Sequence, residues 1–317
     1  MTSRSVSAWI DEFLADQTLR ANSLIITIYG DAIAPHGGTV WLGSFIRLVE
    51  PLGLNQRMVR TSVFRLVREN WLVAEQQGRR SFYSLVAAGR RRFEHAYRRI
   101  YDAPQNDWNG EWQIVFIGLP TLSAQERDSV KHDLLWEGFG LIAPGVLAHP
   151  QADNVSVQQL LEEAQVRDKV VLMRAASVGG FSTRPVKELV AECWKLDTLA
   201  AHYNQFIARF SRVLRAFRAT REPDPQQCFL VRTLLIHEYR RVLLRDPLLP
   251  APLLPLGWPG GAARELTAQL YRLIYRDAEA HLLATLETGD GPLPEAAPYF
   301  YARFGGLLEP AQPLASV

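Results

Sequence analysis

Seven residues between positions 57 and 80 have the types and spacing to grip a polyanion: Arg57, Arg60, Thr61, Arg65, Arg68, Arg79 and Arg80. At about 100° per residue, a helix over 56–69 capped by Asn55 sets Val59, Val63, Leu66 and Val67 on one stripe. Arg57, Thr61, Phe64 and Arg68 fall on the opposite side, flanked by Arg60 and Arg65. A dry inner stripe beneath a cationic outer face suits the major groove of a duplex. There an arginine bonds a guanine edge in bidentate fashion, worth about 1–3 kcal/mol of discrimination, while other arginines neutralise phosphates. Phe64 is the odd residue on that face, and it is expected to pack against a neighbouring element rather than meet a thymine methyl.

An arginine-rich helix face taken alone is more often a solvated surface. Its setting strengthens the polyanion reading. Residues 1–103 hold fourteen Arg, no Lys and nine acidic residues, a net +5, whereas the whole chain of 317 residues is only +2. Within 57–99 the balance is +8. One basic region joined to a mildly acidic remainder implies that only the former meets nucleic acid.

The elements that must position these residues follow from pattern. Residues 22–34 read as a helix with Asn22 as N-cap, Thr39 to Leu42 as a short strand, and Ser44 as the cap of a second helix ending near Pro51. The arginine helix is third. Leu72–Gln76 and Ser81–Val86 then flank Gly78-Arg79-Arg80, a hairpin whose tip can reach a minor groove or backbone. A helix follows over 88–101. The turn-rich segment 102–110 reads as a linker. Beyond it, the strand Trp112–Gly118, a helix capped by Ser123, the broken strand-like run 138–147, a helix over 156–165 and the strand Lys169–Ala175 suggest a small ferredoxin-like domain. From about 186 to 285 the periodicity is helical, and the tail after it has little regular pattern.

The expected class is therefore α+β multidomain: an N-terminal extension over 1–21, a winged helix-turn-helix domain over 22–101, the linker, a ferredoxin-like domain over 111–180, and a helical ligand-sensing region over 181–317. Cys193 and Cys228 form no metal or disulfide pattern, and Asp11, Glu12 and Asp16 interrupt what would be a signal peptide's apolar stretch. A cytoplasmic location is expected, and no membrane partner.

These residues resemble the PaaX family of repressors of phenylacetic acid degradation. The resemblance is carried by Ile28-Tyr29-Gly30-Asp31, Val40-Trp41-Leu42-Gly43-Ser44, Phe64-Arg65-Leu66 and Gly78-Arg79-Arg80-Ser81-Phe82-Tyr83. It continues through Leu135-Trp136-Glu137-Gly138-Phe139-Gly140, Glu192-Cys193-Trp194, Asp246-Pro247-Leu248-Leu249-Pro250 and Arg303-Phe304-Gly305-Gly306. It runs collinearly over about residues 22–309. The resemblance implies a homodimeric DNA-binding repressor of aromatic catabolism, a Cas2-like middle domain, a helical C-terminal region, and release from the operator by phenylacetyl-CoA. Another acyl-CoA is the alternative effector.

A CoA thioester needs cations for its phosphates and an apolar slot for its aryl group. The candidates are Trp194, Tyr203, His237, Tyr239, Arg240, Arg241, Trp258 and Arg264, each of which also has an ordinary structural reading. Asp246-Pro247-Leu248-Leu249-Pro250 reads as a helix stop and rigid turn. An aryl-CoA-processing enzyme with a basic accessory domain is the reading from another class, but no nucleophile set supports it. His237-Glu238 starts a zinc pattern that Arg241 breaks, no phosphate-loop or dinucleotide motif occurs, and the first middle-domain strand carries no internal acid for a metal-dependent nuclease. Neither catalysis, a metal nor a cofactor is expected, and the middle domain reads as a scaffold and dimer interface.

Overall fold

The structure, a computed structural model, describes residues 4–17, 19–103, 108–177 and 185–307. Helix α1 (Arg4–Asp16) leads to α2 (Ala21–Ile28), which runs into a π-helical turn at Tyr29–Ile33. Strand β1 (Thr39–Trp41), α3 (Leu42–Val49), α4 (Gln56–Arg68), β2 (Leu72–Gln77), β3 (Arg80–Leu85) and α5 (Ala87–Tyr101) follow. Next come β4 (Glu111–Phe116), α6 (Ala124–Trp136), β5 (Gly140–Ala143), β6 (Val146–His149), α7 (Asn154–Glu163), β7 (Val171–Ala176) and α8 (Val186–Cys193). The chain ends in α9 (Leu196–Arg218), α10 (Pro225–Leu243), α11 (Gly260–Thr285), β8 (Glu287–Thr288), β9 (Gly291–Pro292) and α12 (Pro298–Tyr301). No helix among the described residues is long and apolar enough to cross a membrane.

Two compact units form. The first gathers 1–103, 204–241 and 261–317, and the second gathers 104–203 and 242–260. The region expected over 181–317 is divided between the two units. Most of α10 and α11 completes the core of the first unit, because their apolar residues (Phe229, Leu234, Leu270, Ile274) are fully buried.

In the first unit, β1, β3 and β2 make a small antiparallel sheet beside α2, α3 and α4. Two expected helix starts move. The N-cap of α2 is Arg20, with Asn22 already inside the first turn. The N-cap of α3 is Trp41, where β1 ends, and the Ser44 hydroxyl donates to the Trp41 carbonyl at 2.9 Å. The N-terminal extension is a packed helix: Val6, Trp9, Ile10 and Phe13 recur at helical spacing and are buried. The Trp9 ring meets Phe210 of α9 at 5.3 Å and its Nε1 donates to the Arg209 carbonyl.

A buried ionic network ties the π turn to the C-terminal helices. Arg232 and Arg303 are fully buried. Arg303 Nη1 donates to the Asp31 carbonyl (2.9 Å), to Asp31 Oδ1 (3.1 Å) and to the Tyr271 hydroxyl (2.6 Å). Its guanidinium sits 4.2 Å from the Tyr101 ring centre and 4.6 Å from that of Phe300. Arg232 pairs with Asp31 at 3.2 Å and with Glu279 at 2.5 Å. Burial alone would raise the Glu279 pKa, but Arg232 and the bonded His36 hold it down to about 2. Tyr101 and Tyr271 both donate to Asp31 Oδ1.

The second unit carries one antiparallel sheet in the order β5-β6-β4-β7, giving the β-α-β-β-α-β topology of a ferredoxin-like domain. The run over 138–147, which reads as one broken strand, is a hairpin: Gly145 takes a left-handed φ of 75° and turns β5 into β6. One sheet face (Val115, Leu147) packs on α6 and α7 through Val130, Leu134 and Leu161. The other face (Trp112, Ala148) packs on Val190, Trp194, Leu249 and Leu253. Of the expected linker, 104–107 lies outside the described residues. Trp108 is packed edge-on against Trp112 at 5.7 Å, so the linker ends earlier than expected.

Removing one partner of a buried charge pair strands the other without compensation, which costs about 3–5 kcal/mol. Asp31→Asn is therefore expected to lower unfolding stability by about that amount in urea titrations. A loss close to zero would show that the network is incidental to the fold.

Candidate nucleic-acid interface

Helix α4 is built to show one face. Asn55 Oδ1 accepts the Met58 amide at 2.9 Å and fixes the start. Val59, Ser62, Val63 and Leu66 are buried against the unit's core, while Arg57, Arg60, Thr61, Arg65 and Arg68 are exposed. Arg65 reaches Glu69 one turn on at 3.2 Å, a solvent-exposed pair. Phe64 stands among these cations with 64% of its surface exposed. The expectation that it packs is corrected: it lies on the side of α4 turned away from the core, and nothing in the unit covers it. Phe64 is therefore an exposed apolar surface set among the α4 arginines.

The hairpin β2–β3 turns at Gly78, whose φ is 61°, and Arg79 at the tip is exposed. Arg80 is held from beneath. Its guanidinium lies 4.4 Å from the Trp41 ring centre and pairs with Glu287 of β8 at 3.2 Å. Arg47 of α3 meets the same ring (5.2 Å) and the same carboxylate (3.0 Å). Arg47 was not singled out by sequence, because nothing local connects it to Glu287, 240 positions away.

The effector candidates divide between the units. In the first, the buried His237 Nδ1 meets the Thr27 hydroxyl at 3.1 Å, and Arg240 Nη1 donates to the same hydroxyl at 2.9 Å. These two converge on α2. Arg241 is exposed and pairs with Glu238 at 2.7 Å. Tyr239 is buried and stacks near Phe206 at 5.6 Å. Arg264 donates to the Ile100 and Tyr101 carbonyls, closing the end of α5. In the second unit, Trp194 Nε1 donates to the Gly138 carbonyl at 2.9 Å, and Tyr203 donates to Asp246 at 2.6 Å with its ring edge-on to Trp258.

An arginine-faced helical body combined with a four-stranded β-α-β-β-α-β domain defines a class of multidomain proteins built around a Cas2-like module. The model described as PaaX protein central Cas2-like domain matches residues 105–187. On either side of it, the model for the PaaX-like protein matches 20–89 and that for the PaaX-like protein C-terminal domain matches 194–284. The chain belongs to the PaaX family. It is 41% identical over 286 residues to the transcriptional repressor PaaX of Escherichia coli (strain K12), covering 90% of each chain. It also resembles the solved structure of the uncharacterized protein Rv0674 from Mycobacterium tuberculosis, with a TM-score of 0.53 and 22% identity, over 83% of this chain and 99% of that one. At that identity the likeness speaks for the fold alone.

His237 gives this region an acid response. Burial, then the nearby Arg240 and Arg241 charges, push its pKa from 6.5 down to about 3. Between those values the unfolded chain binds a proton that the folded chain excludes, so this group's contribution favours unfolding as pH falls below 6.5. His237→Gln is expected to flatten the fall in stability between pH 6.5 and 5, by up to about 1.4 kcal/mol per pH unit. Denaturant titrations of both proteins across that range check it, and equal slopes would contradict it.

Proposed function

We propose that this chain is a DNA-binding transcriptional repressor of a phenylacetate catabolic operon, a regulator rather than an enzyme. Helices α3 and α4 act as the helix-turn-helix pair of a winged helix, with α4 in the major groove and β2–β3 as the wing. The observation that carries this reading is the division of α4, with apolar side chains buried on one side and Arg57, Arg60, Arg65 and Arg68 exposed on the other. Family membership and the name of the Escherichia coli relative support the regulatory role. Thr61 and Phe64 join the arginines in base contact. Arg79 reaches backbone or minor groove, and Arg80 stabilises the wing through Trp41 and Glu287.

A 13-residue helix reads only a few base pairs. The repressor therefore binds a two-fold operator as a homodimer, one recognition helix per half-site, with half-sites about 34 Å apart or a multiple of that. Phenylacetyl-CoA binds the protein and favours a state with lower operator affinity.

The Arg60→Ala/Arg65→Ala variant is expected to lose operator shift in gel assays while keeping its thermal unfolding midpoint, and Arg68→Ala to lower the salt dependence of binding by about one phosphate contact. Undiminished binding by the double variant would remove α4 from the interface. In the same assay, phenylacetyl-CoA is expected to release the DNA where free phenylacetate and CoA do not. Release by a different acyl-CoA alone would reassign the effector.

A further inference from the structure

The second unit contains a cleft of about 270 Å³ at the start of α9. Its apolar lining is Trp194, Leu196, Leu199 and Pro247, all buried. Its polar lining is cationic or neutral: exposed Lys195 and Arg245, half-buried His202, and Thr198. Among the described residues, no carboxylate lines it. Of the acids next to lining residues in sequence, Asp197 is exposed, whereas Asp246 is buried and engaged: its Oδ2 accepts the Tyr203 hydroxyl at 2.6 Å and its Oδ1 accepts the Leu248 amide at 2.7 Å.

The walls are held in place with unusual insistence. Leu248, a non-glycine residue, takes a left-handed φ of 54°. Such backbone costs about 1–3 kcal/mol, persists only where its surroundings over-determine it, and clusters at ligand clamps. Here the surroundings do so. His149 Nε2 donates to the Pro247 carbonyl at 2.8 Å, and a Cβ at Gly138 would lie only 3.0 Å from Pro247 Cα. The Gly138 carbonyl also receives the Trp194 indole, so one short segment, 138–140, pins both the aromatic wall and the proline wall. The ring of Trp194 lies close over Gly140, where a Cβ would fall 2.5 Å from its Cζ2.

We propose that this cleft is the seat of a phosphate-bearing organic thioester. Its aryl or acyl end enters between Trp194, Leu199 and Pro247, and its phosphates meet Lys195, His202 and Arg245 at the rim. The assignment rests on the effector-released repressor described above and gives that effector a site. The slot is smaller than the roughly 300–1,000 Å³ that encloses a whole drug-sized ligand. It therefore takes one end of the molecule, with the nucleotide lying along the cationic rim. The Asp246-Pro247-Leu248-Leu249-Pro250 turn thereby becomes a shaped wall as well as a helix stop.

Calorimetry and operator gel shifts on the full chain test this with two probes, phenylacetyl-CoA and CoA. The Lys195→Glu/Arg245→Glu variant is expected to bind both probes about tenfold or more weakly, with operator affinity in the absence of ligand unchanged. Thr198→Trp, at an exposed position of the lining, is expected to fill the slot and weaken phenylacetyl-CoA by a similar factor while sparing CoA. If phenylacetyl-CoA releases DNA from both variants as readily as from the wild type, the cleft assignment falls and the repressor reading stands. If the wild type binds CoA through these cations but no thioester releases DNA, the effector reading falls and the anion seat stands. Failure of both probes to bind the wild type at millimolar concentration overturns both.

Discussion

The first unit depends on the carboxylate of Asp31 meeting two guanidiniums where water does not reach. Arg232 and Arg303 have no exposed surface, and Asp31 and Glu279 are the carboxylates that face them. Coulomb attraction at these distances is large in a dry interior, but so is the cost of stripping water from each ion. What such a cluster adds is selectivity: other packings of the same helices would strand a charge. The aromatic rings around Arg303 reinforce this, since Tyr101, Tyr271 and Phe300 present their electron-rich faces to the cation.

This constraint shapes how the arginine face of α4 is held. Asp31 sits in the π turn that follows α2, and its partners come from α10, α11 and the segment after α12. Thr27 is likewise held by His237 and Arg240, and the β2–β3 hairpin is braced by Glu287 through Arg80. The arginine face of α4 is therefore carried by a body that includes the C-terminal helices. Any movement of α4 must displace that body as a whole or break interactions that are costly to break.

Much of α4 was legible in sequence because its signal is local. Valines and leucine at helical spacing have to turn inward, and arginines between them cannot. Phe64 was not legible in this way: an aromatic side chain ordinarily finds a partner, and only the assembled unit leaves it exposed. The buried arginines were not legible at all. Arginine is among the least buried residue types, and the acid that admits Arg303 lies 272 positions earlier. The hairpin at Gly145 was partly visible as a Gly- and Pro-broken run. Helix α1 has its own local signal, in the helical spacing of Val6, Trp9, Ile10 and Phe13. Around the cleft, aromatic type pointed to Trp194, but Lys195 and Arg245 look like any surface cations until the fold brings them to one rim.

The closing of Arg303 onto Asp31 also sets an order of events during synthesis. The residues carrying α2 to α5 leave the ribosome roughly 200 positions before the arginine that completes their interior, a delay of about 10–40 s at usual elongation rates. Throughout that interval Asp31 has neither guanidinium in place until α10 emerges, and only one thereafter. The nascent N-terminal part thus waits, incompletely consolidated, for the far end of its own chain. A fragment cut after α5 would keep every exposed arginine of α4 yet lack the clasp that holds them in register.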